Sequence, residues 1–291
     1  MKYLLSSNPE RLREALTLYS QTATVEAEYG DIVVEGSVLT LAHHGPRANQ
    51  PCPCLFRVAT EEMRLRLSGI EVIGLSHLDL DALGGCLAIS EILPTVEGFW
   101  QLAGFVDTFG PHRILDFGPS PQNLARLNAF WAWSQGHRVQ APRDGSVLDI
   151  TPQVEVAAFA LGRILADDPE LLAAGEVFRL AEAKLNLDSF VEVRQGVVVR
   201  IAPVFVNHLY TTPDGVVCRA VVAFNTVSGA VTVSFADPPA PGIPGAVQVV
   251  QAIWGPTAGG HAGIAGSPRG KRCSLADVLA AEDRVADSMG V

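Results

Sequence analysis

The sequence predicts an α/β protein: an N-terminal domain on a largely parallel sheet with flanking helices, a helical connector, and a smaller C-terminal α+β domain. Three observations carry this. Short β-branched apolar runs alternate with helical periodicity through the first half and end in polar residues, as the strands of a parallel layer do. Two helical stretches then follow each other between Val154 and Asp188. From Ser189 onward strand signals dominate. The expected divisions are residues 1–153, 154–188 and 189–291.

The elements are expected in this order. Residues 9–28 read as a helix, with Asn8 a possible cap before Pro9 and Leu12, Ala15, Leu16 and Tyr19 at helical spacing. Asp31 to Val34 and Ser37 to Ala42 read as a hairpin across Glu35-Gly36. A strand over 70–76 leads into a helix near 82–93. The apolar segment Trp100 to Val106 reads as a strand ending at Asp107, and Arg113 to Phe117 as another short strand. The connector helices, Val154 to Ala166 and Pro169 to Leu187, break at Asp167-Asp168-Pro169. Strands follow at Ser189 to Arg194, Val197 to Ala202, Val216 to Asn225 and Ala230 to Phe235, with Gln195-Gly196 as a turn. A helix from Ala246 to Trp254 and a last one capped by Ser274 complete the pattern.

Composition narrows the function classes. The chain has 291 residues, 48% hydrophobic and 18% charged, enough for two cores. Its N-terminal residues lack the long apolar stretch of a secretory signal, and nowhere do about 18 apolar residues run unbroken, so a cytoplasmic protein without a membrane span is expected. Cys52, Cys54, Cys86, Cys218 and Cys273 are an odd number with no disulfide framework. Cys52-Pro53-Cys54 is a possible metal pair that lacks the second pair of a zinc site. The formal net charge of −10 argues against a grip on long duplex nucleic acid, though a few arginines can hold a small phosphorylated substrate. Oligomeric state stays open, a homodimer included.

Two stretches carry chemistry. In Ser76-His77-Leu78-Asp79-Leu80-Asp81, one imidazole and two carboxylates alternate directly after a β-branched run. An extended backbone would turn His77, Asp79 and Asp81 to one side, a ligand set suited to Mn2+ or Mg2+. Otherwise the acids cap the next helix. Ala82, Gly84 and Gly85 would let the chain turn close to bound phosphate. The second stretch, Ala258-Gly259-Gly260-His261-Ala262-Gly263-Ile264-Ala265-Gly266, is almost all backbone, with Arg269 close behind. Such a loop can wrap an anion or simply make a tight connection.

Together the two stretches resemble the DHH phosphoesterase superfamily, whose metal domain opens with a His-x-Asp-x-Asp motif and whose associated domain carries a Gly-Gly-His loop. The likeness spans most of the chain in order. It implies that His77, Asp79 and Asp81 ligate a pair of divalent ions, often manganese, that Asp107 bridges them, and that Gly259, Gly260, His261 and Arg269 bind the substrate phosphate. It implies a metal-dependent phosphoesterase acting on a nucleotide or short oligonucleotide. The chain departs from the family in having no Asp-His-His triplet. His112, or His43 with His44, are the candidates to complete the site. Without the triplet, the alternative is a degenerate relative that senses a nucleotide or phosphate without turnover. A likeness to the His-x-His-x-Asp-His motif of the metallo-β-lactamase fold is weaker, because Asp79 and Ala82 stand where that motif has histidines.

Overall fold

The computed structural model describes residues 1–290 except Pro238, Pro241, His261 and Arg269. They form two compact units, Met1–Thr108 with Asp116–Arg179, and Phe109–Leu115 with Leu180–Val291. The expected connector therefore does not stand apart: its first helix and half of its second belong to the first unit.

The first unit holds β1 (Lys2–Leu5), α1 (Pro9–Leu16), β2 (Thr22–Val25), β3 (Glu28–Tyr29), β4 (Ile32–Val33), β5 (Leu39–Leu41), α2 (Glu61–Ser68), β6 (Val72–Leu75) and α3 (Leu80–Ile89). It continues through most of α4 (Phe99–Phe109), the end of α5 (Ile114–Phe117), α6 (Pro121–Gln135), β7 (Leu148–Asp149), α7 (Thr151–Leu165) and the first half of α8 (Pro169–Ser189). Its main sheet runs β5-β2-β6-β1-β7, parallel except for β7. All four residues of β2 and of β6 are buried, as expected for parallel strands covered on both faces.

Local chemistry explains the boundaries. Asn8 caps α1 by accepting from the Arg11 amide at 3.0 Å, and Leu12 and Leu16 pack on Leu4 and Val72. The helix stops at Leu16 instead of running to residue 28, because Thr22, Thr24 and Val25 are β-branched and all of Thr22–Val25 is buried in the sheet. The hairpin is β3 with β4, whereas β5 pairs in parallel with β2, Ala23 opposite Leu39. A side chain at Gly36 would meet Leu39 O at 2.5 Å and Ala23 Cα at 2.6 Å, so this position must stay bare for the chain to pass β2.

Two expected strands are helical. Trp100 to Val106 lies in α4, whose buried residues Phe99, Trp100, Leu102, Ala103 and Gly104 recur at helical spacing along one side. Arg113 to Phe117 is a 3-10 turn, Pro111–Arg113, followed by α5. A short apolar run does not by itself distinguish a buried helix from a strand.

In the second unit β8 (Phe190–Arg194), β9 (Val197–Ala202), β10 (Ala220–Asn225), β11 (Val231–Phe235), α9 (Ala246–Trp254), β12 (Gly259–Gly260), β13 (Ile264–Gly266) and α10 (Leu275–Ser288) follow in order. The sheet runs β12-β13-β11-β10-β9-β8. The β8–β9 turn carries positive φ at both Gln195 and Gly196, 53° and 77°, as a type I′ hairpin requires. Val199, Val222 and Val233 on one face of the sheet share a core with Val249 and Val250 of α9 and Val278 and Val285 of α10.

Candidate metal centre

The carboxyl ends of three adjacent parallel strands deliver the site. Glu26 directly follows β2, His43 and His44 follow β5, and Asp79 and Asp81 follow β6. Connections leave β2 and β6 in opposite directions across the sheet, the kind of place where open α/β sheets bind ligands. Asp107 reaches the same place from α4, and Cys52 from the segment before the 3-10 turn Pro53–Leu55.

The geometry is close. His43 Nε2 lies 2.9 Å from Asp107 Oδ2, 3.5 Å from Glu26 Oε1 and 3.6 Å from Asp81 Oδ2. His44 Nε2 lies 3.3 Å from Glu26 Oε2 and 3.5 Å from Asp107 Oδ2. Donor atoms of His43, Cys52, Asp81 and Asp107 all stand within 4.8 Å of one another, as do those of Glu26, His43 and His44. Glu26, Asp81 and His43 are buried, whereas the side chains of Asp107 and His44 are 20% and 47% exposed, so the cluster opens to solvent on the His44 side.

Each position has a local cause. The amide of His44 donates to Glu28 Oε1 at 2.6 Å, fixing the turn after β5. Asp81 Oδ1 accepts from the Cys54 amide at 3.0 Å and the Cys52 thiol at 2.8 Å. Glu26 has φ 49°, a left-handed backbone rare for such a residue, held by its amide on Leu41 O and by the Ser76 amide on its carbonyl. Strain of this kind, costing about 1–3 kcal/mol, collects at functional sites.

The electrostatics leave room for a cation. Glu26 Oε1 and Oε2, Asp81 Oδ2 and Asp107 Oδ2 are buried without a well-directed hydrogen bond. Three carboxylates crowd two imidazoles, so the cluster must take up either protons or a cation to avoid uncompensated buried charge. Burial first, then the charges of Glu28, Asp81, Asp107 and Asp79, push the Glu26 carboxyl up to about 10. Burial also pushes Asp81 up. At Asp107 burial acts the same way, but the His43 and His44 imidazoles outweigh it and hold the carboxyl below the usual range. Asp107 in turn raises the pKa of His44. Imidazole and carboxylate donors with unsatisfied buried oxygens fit a divalent ion, and this cluster can hold one.

The structure redistributes the expected residues. His77, Asp79 and Asp81 do not share a strand face, because the strand ends at Leu75, Asp79 caps α3 by accepting from the Ala82 amide at 2.9 Å, and Asp81 sits in the first helical turn. Asp81 enters the cluster. His77 instead pairs with Asp79 at 3.3 Å, both side chains nearly half exposed, and meets Ser76 Oγ at 2.9 Å. Asp107 is present, on a helix and not at a strand end. His43 and His44 both enter. His112 belongs to the second unit, where its ring lies 4.6 Å from that of Tyr210.

Among the glycines read as phosphate-facing, Gly84, Gly85 and Gly260 have packing reasons to be bare. Gly259 and Gly260 pair with Gly266 and Ala265, and a side chain at Gly260 would meet Ala265 Cα at 2.4 Å. His261 and Arg269 lie outside the described residues. Gly84 and Gly85 admit the Cys52-Pro53-Cys54 segment: a side chain at Gly84 would lie 2.5 Å from Cys54 Cβ, and one at Gly85 2.8 Å from Pro53 Cβ.

Glu26 is absent from the candidates the sequence offers, and Cys52 appears among them only as half of a possible cysteine pair. The signal at Glu26 is an acid immediately after four β-strand residues, and at Cys52 a thiol ahead of a helix whose glycines leave a slot. Among the described residues no helix is long and apolar enough to cross a membrane. Comparison with protein-family models finds no match, and comparison with curated proteins finds none either.

Proposed function

We propose that the chain is a divalent-metal-dependent phosphoesterase acting on a small phosphorylated substrate such as a nucleotide or short oligonucleotide. The observation that carries this reading is the convergence of Glu26, His43, His44, Asp81 and Asp107 at the carboxyl ends of parallel strands, with buried carboxylate oxygens left unsatisfied. The resemblance of the His77-to-Asp81 and Gly259-to-Gly266 stretches to the DHH superfamily supplies the reaction class.

His43, Asp81 and Glu26 would hold metal from the buried side, and Asp107 Oδ2, the carboxylate atom nearest to His43 and also within reach of His44, would join two sets of donors. One lone pair on His43 Nε2 would serve one ion, so a second, if bound, would draw on Glu26 and His44. Two imidazoles among the carboxylates favour Mn2+ over Mg2+. Bound ions would supply an activated water and neutralise charge growing on the phosphoryl group.

The test is a screen of small phosphoesters and phosphodiesters with manganese-loaded protein. Turnover that needs the metal and disappears in Asp107→Ala and Asp81→Ala supports the reading. Metal and nucleotide binding without turnover of any phosphoester would favour the sensor instead.

A further inference from the structure

Resting on the metal reading above, we infer that Cys52 is a thiolate ligand of the centre, which makes one of its ion positions selective for a zinc-class transition ion, Zn2+, Fe2+ or Co2+, over Mg2+. Its sulfur is 2.8 Å from Asp81 Oδ1 and 3.7 Å from His43 Nε2. It stands in one group of donor atoms with His43, Asp81 and Asp107. The imidazole nitrogen, the sulfur and two carboxylate oxygens make a four-donor set of mixed N, S and O character, the composition that zinc-class ions accept and hard magnesium does not.

The placement of this thiol is built into the fold. A side chain at Gly104 of α4 would lie 3.2 Å from Cys52 Cβ and 3.3 Å from its sulfur, and one at Gly84 of α3 would strike Cys54 Cβ at 2.5 Å. Two helices thus leave bare backbone where the Cys52-Pro53-Cys54 segment enters. Asp81, itself 2% exposed, keeps Oδ2 without a hydrogen bond and turned toward His43 Nε2, a second sign that a cation belongs among these atoms. Cys54 is different: its sulfur donates to Trp100 O at 3.5 Å and it stands outside the donor group. On coordination the Cys52 S–H bond breaks, its proton passes to the buffer, and the sulfur pair forms the bond to the ion.

The experiment uses the full chain, stripped with chelator and loaded with Co2+ alone, then with Zn2+ alone. Cobalt-loaded protein should show a sulfur-to-cobalt charge-transfer band in the near ultraviolet, kept in Cys54→Ser and lost in Cys52→Ser. X-ray absorption of zinc-loaded wild type, which needs no variant to fold, should show one sulfur at about 2.3 Å. Cobalt bound at the site with visible d–d bands, no charge-transfer band and only light-atom neighbours would overturn the role of Cys52 while leaving the metal centre standing. Protein that binds neither ion overturns both.

Discussion

Asp107 Oδ2 lies 2.9 Å from His43 Nε2, joining a helix residue to the end of an edge strand in a site where one buried imidazole faces three carboxylates. Because Asp107 also reaches His44 at 3.5 Å, it is the residue whose loss most disturbs the cluster. Asp107→Ala is expected to lower divalent-metal affinity at least about tenfold, some 1.4 kcal/mol, with an unchanged circular dichroism spectrum. Titration calorimetry measures the affinity, and an unchanged constant would remove Asp107 from the centre.

Metal should stabilise the first unit. A saturating divalent ion at about 100 times its dissociation constant contributes about 2.7 kcal/mol, which for a unit of this size corresponds to roughly 5–10 °C in melting temperature. His43→Ala should abolish that shift. Scanning calorimetry with and without chelator reads it directly, and equal melting points in both would argue against a bound ion.

Gly84→Ala should damage the site from a distance. Its added methyl would lie 2.5 Å from Cys54 Cβ and 2.7 Å from Trp100 Cζ3, and overpacking of this kind costs about 1–3 kcal/mol. Displacing the Cys52-Pro53-Cys54 segment also frees Asp81 Oδ1 from the Cys54 amide, so metal affinity should fall together with stability. A variant as stable and as tightly metal-binding as the parent would show that the slot is loose.

In the second unit Arg200 is fully buried in β9, its guanidinium donating to the carbonyls of Asn186, Leu209 and Thr211, to Asn186 Oδ1 and to Ser189 Oγ. Burial lowers its pKa to about 10, so it remains charged at neutral pH. Arg200→Met would leave three carbonyls without this donor and is expected to destabilise the unit by about 2–4 kcal/mol in urea unfolding. A loss under half a kcal/mol would mean that water replaces the guanidinium readily.

The last helix carries a pH signature. The Ser274 amide, then the Trp254 indole at 2.9 Å, hold the Asp277 carboxyl below its usual range. A depressed carboxyl contributes stability above its unfolded value near 4, and that contribution fades as pH falls through the lower folded value. Asp277→Asn should therefore be less stable than wild type at pH 7, with the two converging in strong acid. A gap that stays constant across that window would assign the effect to packing.

How far the sequence speaks depends on what each signal measures. The cap at Ser274, the turn at Gln195-Gly196 and helix α9 depend on local chemistry and are found at or beside their expected places. The strand β6 with its acidic outlet is likewise legible, and so is the α/β class. Asp107 is legible from its position after an apolar run, but the run is a buried helix, and only the partners across the core decide between the two. His77, Asp79 and Asp81 mislead because alternation has meaning only while the strand lasts, and it ends at Leu75. Glu26 and Cys52 are brought to the centre by the pairing of β5 with β2 and by the slot between α3 and α4, relations between segments that no local pattern encodes.

The central claim, that Glu26, His43, Asp81 and Asp107 hold a divalent ion, is tested most directly by the metal stoichiometry of chelator-stripped protein after equilibrium dialysis against manganese. The account predicts one or two manganese ions per chain, and none at this site in the double variant Asp81→Ala with Asp107→Ala. Wild-type protein that emerges without metal, or a double variant that retains the full complement, would contradict it.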